Sequence, residues 1–245
     1  MNNWYTQDDA NNLFGDSDND LVKLALNSNS SKLFDPECSH YLDAYNDKFG
    51  KLRDRPISIL EIGVKDGDSL KLWKEYFHPE SKIYGIELNP EPLKDFNQSN
   101  TQIFYGSQTD IKFLNKITDD IGKVDIIIDD GGHTANQLVT SFNFLFEYGL
   151  NDGGTYVMED LGTSYWDRWC GGINQNGTAI NFMKDKVDGL NFRFWKGGRS
   201  DYIGKPSMNK VDATFQDKNI KSIVFYKALC FVDKGNNLEI NNDSI

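Results

Sequence analysis

The chain has 245 residues and a formal net charge of −11, so it is long enough for one large domain or a domain with an appendage. The acidic excess argues against binding of a nucleic-acid backbone and against attachment to an anionic membrane surface. No apolar run approaches the ~20 residues of a membrane span, no secretion signal opens the chain, and three scattered cysteines suggest neither a zinc site nor disulfides. We expect a cytoplasmic protein that acts on a small molecule.

The first 53 residues are predicted to form an N-terminal arm followed by helices. Residues 1–20 are rich in Asn and Asp and show little periodicity, which is typical of a loose or peripheral arm. A short helix is expected over residues 21–26. A second is expected over residues 41–52, where Tyr41, Leu42, Tyr45 and Phe49 recur at helical spacing.

The remaining residues, 54–245, are predicted to form the main domain, because strands and helices alternate from residue 57. Strands are expected at 57–63, 82–88, 101–105, 124–129 and 154–158, and helices at 69–77, 91–96, 110–117 and 137–148. Such alternation predicts a doubly wound, mostly parallel sheet. Two further β-rich runs, 220–226 and 228–232, have almost no linker, so at least one should be antiparallel. The prediction is an α/β fold with seven strands.

Residues 161–215 interrupt the alternating pattern. They carry most of the remaining Trp and Gly and show weak periodicity. A segment of this length inside a compact domain usually serves function, for example as a lid or as a wall of the substrate site.

A glycine turn joins the first strand to its helix. Gly63 and Gly67 would let the backbone approach a ligand, and the helix N-terminus offers free N–H groups. Glu87 lies at the end of the second strand, 20 residues after Gly67. This is about the spacing at which an acidic residue meets ribose hydroxyls. Lys65 occupies the middle position of the dinucleotide pattern, so a nucleoside without phosphates, such as S-adenosylmethionine, fits better. The alternative is an ordinary strand–helix turn.

Carboxylates follow two strands that should be neighbours in such a sheet. Asp130 comes after the fourth strand, and Glu159 and Asp160 come after the fifth. Three converging carboxylates would repel each other unless they were protonated or bound to a cation. Oxygen ligands suit Mg²⁺, Mn²⁺ or Ca²⁺, and open positions on the ion could accept substrate oxygens.

One imidazole belongs to the same region. His133 lies three residues after Asp130, and an imidazole can accept the proton of a metal-bound hydroxyl. In the alternative reading, Asp129 and Asp130 cap the next helix, His133 lies in a surface turn, and Glu159 and Asp160 lie in a solvated loop. His40, next to Tyr41, precedes the sheet and could fold over the cofactor face.

Three motifs together resemble the macrolide-sugar O-methyltransferases, a group that includes the mycinamicin and tylosin methyltransferases and cephalosporin hydroxylase. The motifs are Leu60-Glu-Ile-Gly-Val64 with Gly67-Asp-Ser-Leu70, then Ile128-Asp-Asp-Gly-Gly-His133, and Glu159-Asp-Leu-Gly-Thr-Ser-Tyr-Trp166. The resemblance covers about residues 20–235. It implies a Rossmann-like class I methyltransferase fold that uses S-adenosylmethionine. One departure is Glu87, which stands where Asp is more usual.

The resemblance also implies roles for individual residues. His133 would be the general base, Asp130 would act with it, and the Mg²⁺ ligands would be Asp130, Glu159 and Asp160. Residues implied around S-adenosylmethionine are Glu61, Gly63, Gly67, Ser69, Glu87, Ser107, Gln108, Asp110 and Asp129. Residues expected to contact the substrate are Tyr165, Trp166, His40 and Tyr41.

Our leading hypothesis is a Mg²⁺- or Mn²⁺-dependent O-methyltransferase that acts on a hydroxyl of a sugar or sugar-like molecule. A cluster of basic residues suggests an anionic or nucleotide-linked acceptor, and the alternative, which we favour, is solvated surface charge. The cluster comprises Arg168, Lys196, Arg199 and Lys205. The resemblance also allows a homo-oligomer. Two alternatives are a non-haem iron hydroxylase, for which a second histidine ligand is missing, and a non-catalytic binding subunit with a methyltransferase-like fold.

Overall fold

The computed structural model describes residues 4–28, 30–94, 96–192 and 213–237. The chain divides into two compact units, Met1–Ser107 and Gln108–Ile245, called here the first and the second unit. The domain boundary expected between residues 53 and 54 lies inside the first unit and stays a prediction. Within the described ranges, every helix is too short or too polar to cross a bilayer.

Seven strands form a mostly parallel sheet, which confirms the predicted fold class. They are β1 (Ser58–Ile62), β2 (Lys82–Glu87), β3 (Thr101–Tyr105), β4 (Val124–Asp129), β5 (Leu150–Met158), β6 (Ile220–Tyr226) and β7 (Leu229–Lys234). In the first unit the order is β3-β2-β1, and both pairs are parallel. In the second unit the order is β4-β5-β7-β6; β4 and β5 are parallel, whereas β7 is antiparallel to both β5 and β6.

Helices lie before and between these strands along the chain. They are α1 (Gln7–Phe14), α2 (Asp20–Ser28), α3 (Ser31–Phe34), α4 (Tyr41–Phe49), α5 (Asp68–Tyr76), α6 (Ile111–Ile121), α7 (Ala135–Tyr148), α8 (Ala179–Leu190) and α9 (Phe215–Asn219). Short 3₁₀ turns cover Gly50–Leu52, Glu91–Leu93, Leu161–Tyr165 and Asp167–Trp169.

Each unit has an apolar core that includes residues of its helices and strands. In the first unit, α5 begins directly after Gly67 and buries Leu70, Leu72 and Trp73. In the second unit, the Phe142 ring on α7 packs edge-on against Tyr156 of β5, with ring centroids 5.1 Å apart. Because β4 and β5 are parallel and in register, with Asp129 opposite Met158, both strands present their following residues at the same edge.

Helices α1 and α8 were not predicted from the sequence. Residues 7–14, in the arm expected to be loose or peripheral, form the mostly exposed helix α1, which begins at a capping box between Thr6 and Asp9. The segment 161–215, expected to be a lid or a substrate wall, contains α8, whose N-cap Thr178 accepts a hydrogen bond from the Asn181 N–H. In α1 the apolar residues are few, whereas in α8 Ile180, Met183 and Val187 recur at helical spacing. Within that segment, residues 193–212 lie outside the described residues.

Candidate active site

The glycine turn of the first unit needs backbone conformations that favour glycine. Gly63 and Gly67 have φ of 83° and 81°, and Lys65 between them has φ of 50°. The Gly67 N–H donates to the Val64 carbonyl at 2.7 Å, which closes the turn at the start of α5. The turn therefore delivers the free N–H groups of the helix N-terminus to one place.

Gly67→Ala is expected to destabilise the protein more than Gly153→Ala does. Both glycines have similar positive φ, so each alanine costs roughly 1–2 kcal/mol in the left-handed region. A Cβ at Gly67 would also collide with the Phe96 ring, whereas nothing lies within 4 Å at Gly153. The collision adds roughly 1–3 kcal/mol. Urea unfolding of the two variants measures the difference; equal losses would contradict the close approach.

Glu87 holds the turn through the backbone. Its Oε2 accepts the Lys65 N–H at 2.8 Å, and its Oε1 accepts the N–H groups of Leu88 and Asn89 at 2.8 and 3.0 Å. The side chain is half-buried at the end of β2. Because the contact to Lys65 spans from β2 to the turn, the extra methylene of Glu over Asp has a structural use here. The ribose contact of Glu87 stays a prediction.

Glu61 lies beneath the turn rather than at its surface. Its buried carboxylate accepts hydrogen bonds from Ser69 Oγ at 2.7 Å and Trp73 Nε1 at 3.0 Å, both on Oε2. The Lys32 ammonium, itself 5% exposed, lies 3.5 Å from Oε1. The sequence matched Ser31-Lys32 only in part to a stretch of the related family and did not predict that Lys32 is buried, because lysine is rarely buried. These contacts fasten α3, β1 and α5 together.

In the second unit, the predicted acidic centre is present. Asp130, His133 and Asp160 each bring one ligand atom to a cluster whose atoms all lie within 4.8 Å of one another. His133 Nε2 is 3.5 Å from Asp160 Oδ2 and 4.0 Å from Asp130 Oδ1. The three side chains are partly exposed, at 20–35%. A substrate or an ion can therefore reach them.

Glu159 adds a third carboxylate to this region. One of its oxygens lies within 4.8 Å of an Asp130 oxygen, and the residue is buried at the end of β5. Oxygens on opposite sides of one Mg²⁺ lie about 4.2 Å apart, since each bond is about 2.1 Å. The spacing of Asp130 with Asp160, and of Asp130 with Glu159, fits a hard divalent cation. A metal ion shared by Asp130, Glu159 and Asp160 stays a prediction.

Thr163 links the two loops that carry the centre. Its Oγ1 lies 3.0 Å from the His133 carbonyl and 2.9 Å from the Asp160 carbonyl, so it can donate to either. Both His133 and Asp160 have φ of 55°, a left-handed conformation that non-glycine residues adopt rarely. A hydroxyl between the two carbonyls, which donates to one of them at a time, stabilises the strained residue that it contacts. Sequence reasoning did not identify Thr163, although it belongs to the Glu159–Trp166 motif.

Asp129 and Gln108, both expected at the cofactor, lie under the His133 loop. The buried Asp129 carboxylate accepts hydrogen bonds from Gln108 Nε2 at 2.9 Å, from Tyr156 OH at 2.8 Å and from Ser141 Oγ. Burial raises the pKa of Asp129 to about 6, and these hydrogen bonds oppose that rise. Gln108 Oε1 in turn accepts the Gly132 N–H at 2.8 Å. A carboxylate with these internal donors supports the loop, and the cofactor contacts of Asp129 and Gln108 stay a prediction.

Gln108→Met is expected to lower the free energy of unfolding by roughly 1–3 kcal/mol. The change keeps the side-chain volume but leaves the Asp129 carboxylate and the Gly132 N–H each short of a partner in a buried place. Gln102→Met on the exposed side of β3 is the control and should cost little. Equal stability of the two variants in urea unfolding would remove the supporting role of Gln108.

Four other predicted site residues lie at a helix cap, at the end of the first unit or on the exposed surface. Asp110 caps α6 by accepting the Lys112 N–H at 2.9 Å, and Ser107 is half-buried at the end of the first unit. Tyr165 and Trp166 are 44% and 40% exposed, as suits a substrate wall.

Two other groups of residues were predicted to contact the acceptor. Tyr41, expected at the substrate, is only 1% exposed and belongs to the core of the first unit, with the half-buried His40 ring 4.7 Å from it. Among the basic residues thought to meet an anionic acceptor, Arg168 is described, whereas Lys196, Arg199 and Lys205 lie outside the described residues.

Comparison with known proteins finds no matching family model. The chain is 35% identical over 222 residues to the 8-demethyl-8-alpha-L-rhamnosyl tetracenomycin-C 2'-O-methyltransferase of Streptomyces olivaceus, covering 87% of this chain and 54% of that protein. It is 31% identical to the mycinamicin VI 2''-O-methyltransferase of Micromonospora griseorubida, covering 89% and 54%. The chain thus spans about half the length of these curated relatives.

Two solved structures of one methyltransferase also match the chain. The methyltransferase MycE of mycinamycin biosynthesis, in complex with Mg and SAH, matches with a TM-score of 0.75 and 28% identity, over 90% of this chain and 55% of that one. Its complex with Mg, SAH and mycinamycin VI matches with a TM-score of 0.74.

Proposed function

Because the chain is a relative of the O-methyltransferases that act on the sugars of macrolides and similar natural products, we propose that it methylates a sugar hydroxyl. The methyl donor is S-adenosylmethionine, and a divalent cation, Mg²⁺ or Mn²⁺, assists. The observation that carries this proposal is the convergence of Asp130, Asp160 and Glu159 with the His133 imidazole at the ends of β4 and β5.

The cation would be held by the oxygens of Asp130, Glu159 and Asp160, because Asp130 has an oxygen within 4.8 Å of an oxygen of each of the other two. When bound, it supplies a Lewis acid that lowers the pKa of a coordinated hydroxyl and fixes its direction. Thr163 keeps the two loops that carry these carboxylates in register through the His133 and Asp160 carbonyls. The protein's own contribution here is to orient ligands on rigid strand ends.

His133 is suited to take the proton of the acceptor hydroxyl. Its Nε2 faces Asp160, at 3.5 Å, which orients the imidazole. Its Nδ1 is buried and has no hydrogen-bond partner among the described residues. The His133 side chain as a whole is 20% exposed, so an acceptor hydroxyl can approach the imidazole, and proton removal makes the acceptor oxygen a stronger nucleophile.

The proposed methyl transfer forms one bond, breaks one bond and moves one proton. A bond forms between the acceptor oxygen and the methyl carbon while the sulfonium–carbon bond breaks, leaving S-adenosylhomocysteine, and the hydroxyl proton ends on His133. In the first unit, the glycine turn and the N-terminus of α5 provide the cofactor site, with Glu87 placed for the ribose. Glu61 and Ser69 stabilise that site from below.

For the acceptor, the finer proposal is an anionic or nucleotide-linked sugar. Arg168 supports it, because its guanidinium is exposed at 4.6 Å over the Trp166 ring, in the predicted substrate wall. The two relatives reported above are named for methylation of sugar hydroxyls on natural products. A hydroxylase is less well supported, since the described part of the acidic centre contributes one histidine and non-haem iron oxygenases use two.

The test is transfer of a labelled methyl group from S-adenosylmethionine to a panel of sugars, sugar phosphates, uronic acids and nucleotide sugars. Label should appear in an ether product, and EDTA should abolish it. A protein that binds neither S-adenosylmethionine nor Mg²⁺ in calorimetry would contradict the proposal. Turnover that requires Fe²⁺ and O₂ without a methyl donor would replace it with the hydroxylase.

A further inference from the structure

A cavity of about 280 Å³ lies beside His133 in the second unit, and we call it the Trp169 cavity. Its walls are the start of α7, the start of α8, and the turns that carry Thr163, Ser164 and residues 168–170. This volume is at the lower end for ligand sites. It has room for one sugar ring.

Trp169, one of the residues that line the cavity, carries a buried hydrogen-bond donor. Trp169 Nε1 is inaccessible to solvent and has no hydrogen-bond partner among the described residues. An indole N–H donates only, and buried donors are seldom left unpaired. Its ring stands edge-on to His133, with centroids 6.3 Å apart. A ligand that accepts from Trp169 therefore also lies near His133.

Among the described residues, the lining of the cavity is basic, although the chain as a whole is strongly acidic. None of the described residues that line it is Asp or Glu, while Arg168 is among them. No ion pair of Arg168 is found within the described ranges. Helices α7 and α8, of 14 and 12 residues, both begin at this cavity and direct the positive ends of their dipoles toward it.

We propose that the Trp169 cavity binds an anionic group of the acceptor sugar, a carboxylate or a phosphate, through the Trp169 N–H and the Arg168 guanidinium. This rests on the proposed function, because the same sugar would present its reacting hydroxyl to His133. The short distance between the two rings places hydroxyl and anion on one sugar ring. Uronic acids and sugar phosphates have this chemistry.

Binding to the full-length protein tests this without methyl transfer. Glucuronate, glucose 6-phosphate and neutral glucose are titrated at constant ionic strength with EDTA present, so that no divalent ion carries the phosphate. At least one anionic sugar should bind tenfold or more tightly than glucose. Trp169→Phe, which keeps a ring but removes the N–H, should weaken that anion about ten- to hundredfold and leave glucose unchanged. The two anions distinguish carboxylate from phosphate.

Arg168→Gln should weaken the anion by about tenfold, and because Arg168 is exposed the variant should fold normally. Lys116→Gln on the exposed side of α6 removes the same charge away from the cavity, and Trp4→Phe removes an indole N–H in the first unit; both should keep wild-type affinity. The proposal is overturned if neither anion binds better than glucose, or if Trp169→Phe and Arg168→Gln bind as the controls do. Methyl transfer to neutral sugars alone would overturn it while leaving the proposed function intact.

Discussion

Replacement of His133 by glutamine is expected to lower kcat by about 10²- to 10⁴-fold, the range that a positioned general base contributes. The amide of glutamine can hydrogen bond with Asp160 but cannot hold a proton at neutral pH. S-adenosylmethionine affinity should stay within about twofold of wild type, because the glycine turn, Glu61 and Glu87 belong to the first unit and His133 to the second. Single-turnover kinetics and calorimetric cofactor binding on the same protein separate the two effects.

His78→Gln is the matched control for this change. His78 lies between α5 and β2, where its Nδ1 accepts the Glu80 N–H at 3.2 Å, and glutamine there should leave kcat unchanged. Folding of both variants is checked by their melting temperatures. Undiminished turnover by His133→Gln with bound cofactor would remove His133 from the base role and leave a metal-bound hydroxyl that loses its proton to solvent.

The positions of the strand ends could be predicted from sequence because local pattern determines them. The buried apolar run before Asp129 and the β-rich run before Glu159 each end where polar residues begin, and parallel strands of one sheet share an edge. Asp130 and Glu159 are therefore brought together by topology alone. Their convergence needs no knowledge of side-chain rotamers, and the structure contains it.

The supports of the site could not be predicted in the same way. Gln108, expected near the adenine, turns inward because the buried Asp129 carboxylate needs donors, and that need arises only when α7 packs Ser141 against β4 and β5. Likewise Lys32 is buried because Glu61 is buried. In each case the position of the side chain depends on contacts with residues that are distant in sequence. Neither helical nor strand periodicity reveals such contacts.

Removal of the divalent cation is expected to have an effect as large as the loss of His133. EDTA should abolish turnover, and Mg²⁺ or Mn²⁺ should restore it. Loss of an outer partner of a metal ligand already costs 10- to 100-fold in affinity, so Asp130→Asn, which weakens a direct ligand, should raise the half-saturating metal concentration by at least about 100-fold. The measurement is turnover as a function of free metal concentration, with Asp119→Asn on the exposed side of α6 as control.

Thermal unfolding gives a readout that does not depend on the acceptor. An ion at about 100 times its Kd adds about 2.7 kcal/mol to the stability of the folded state. For a protein of this length that raises Tm by roughly 5–10 °C. The rise should appear in wild type and Asp119→Asn and be absent in Asp130→Asn, with NaCl at equal ionic strength as the salt control. Because Asp130 lies within reach of both Glu159 and Asp160, a full Tm rise in Asp130→Asn would mean that the ion binds elsewhere and that the carboxylates at the ends of β4 and β5 hold no shared metal.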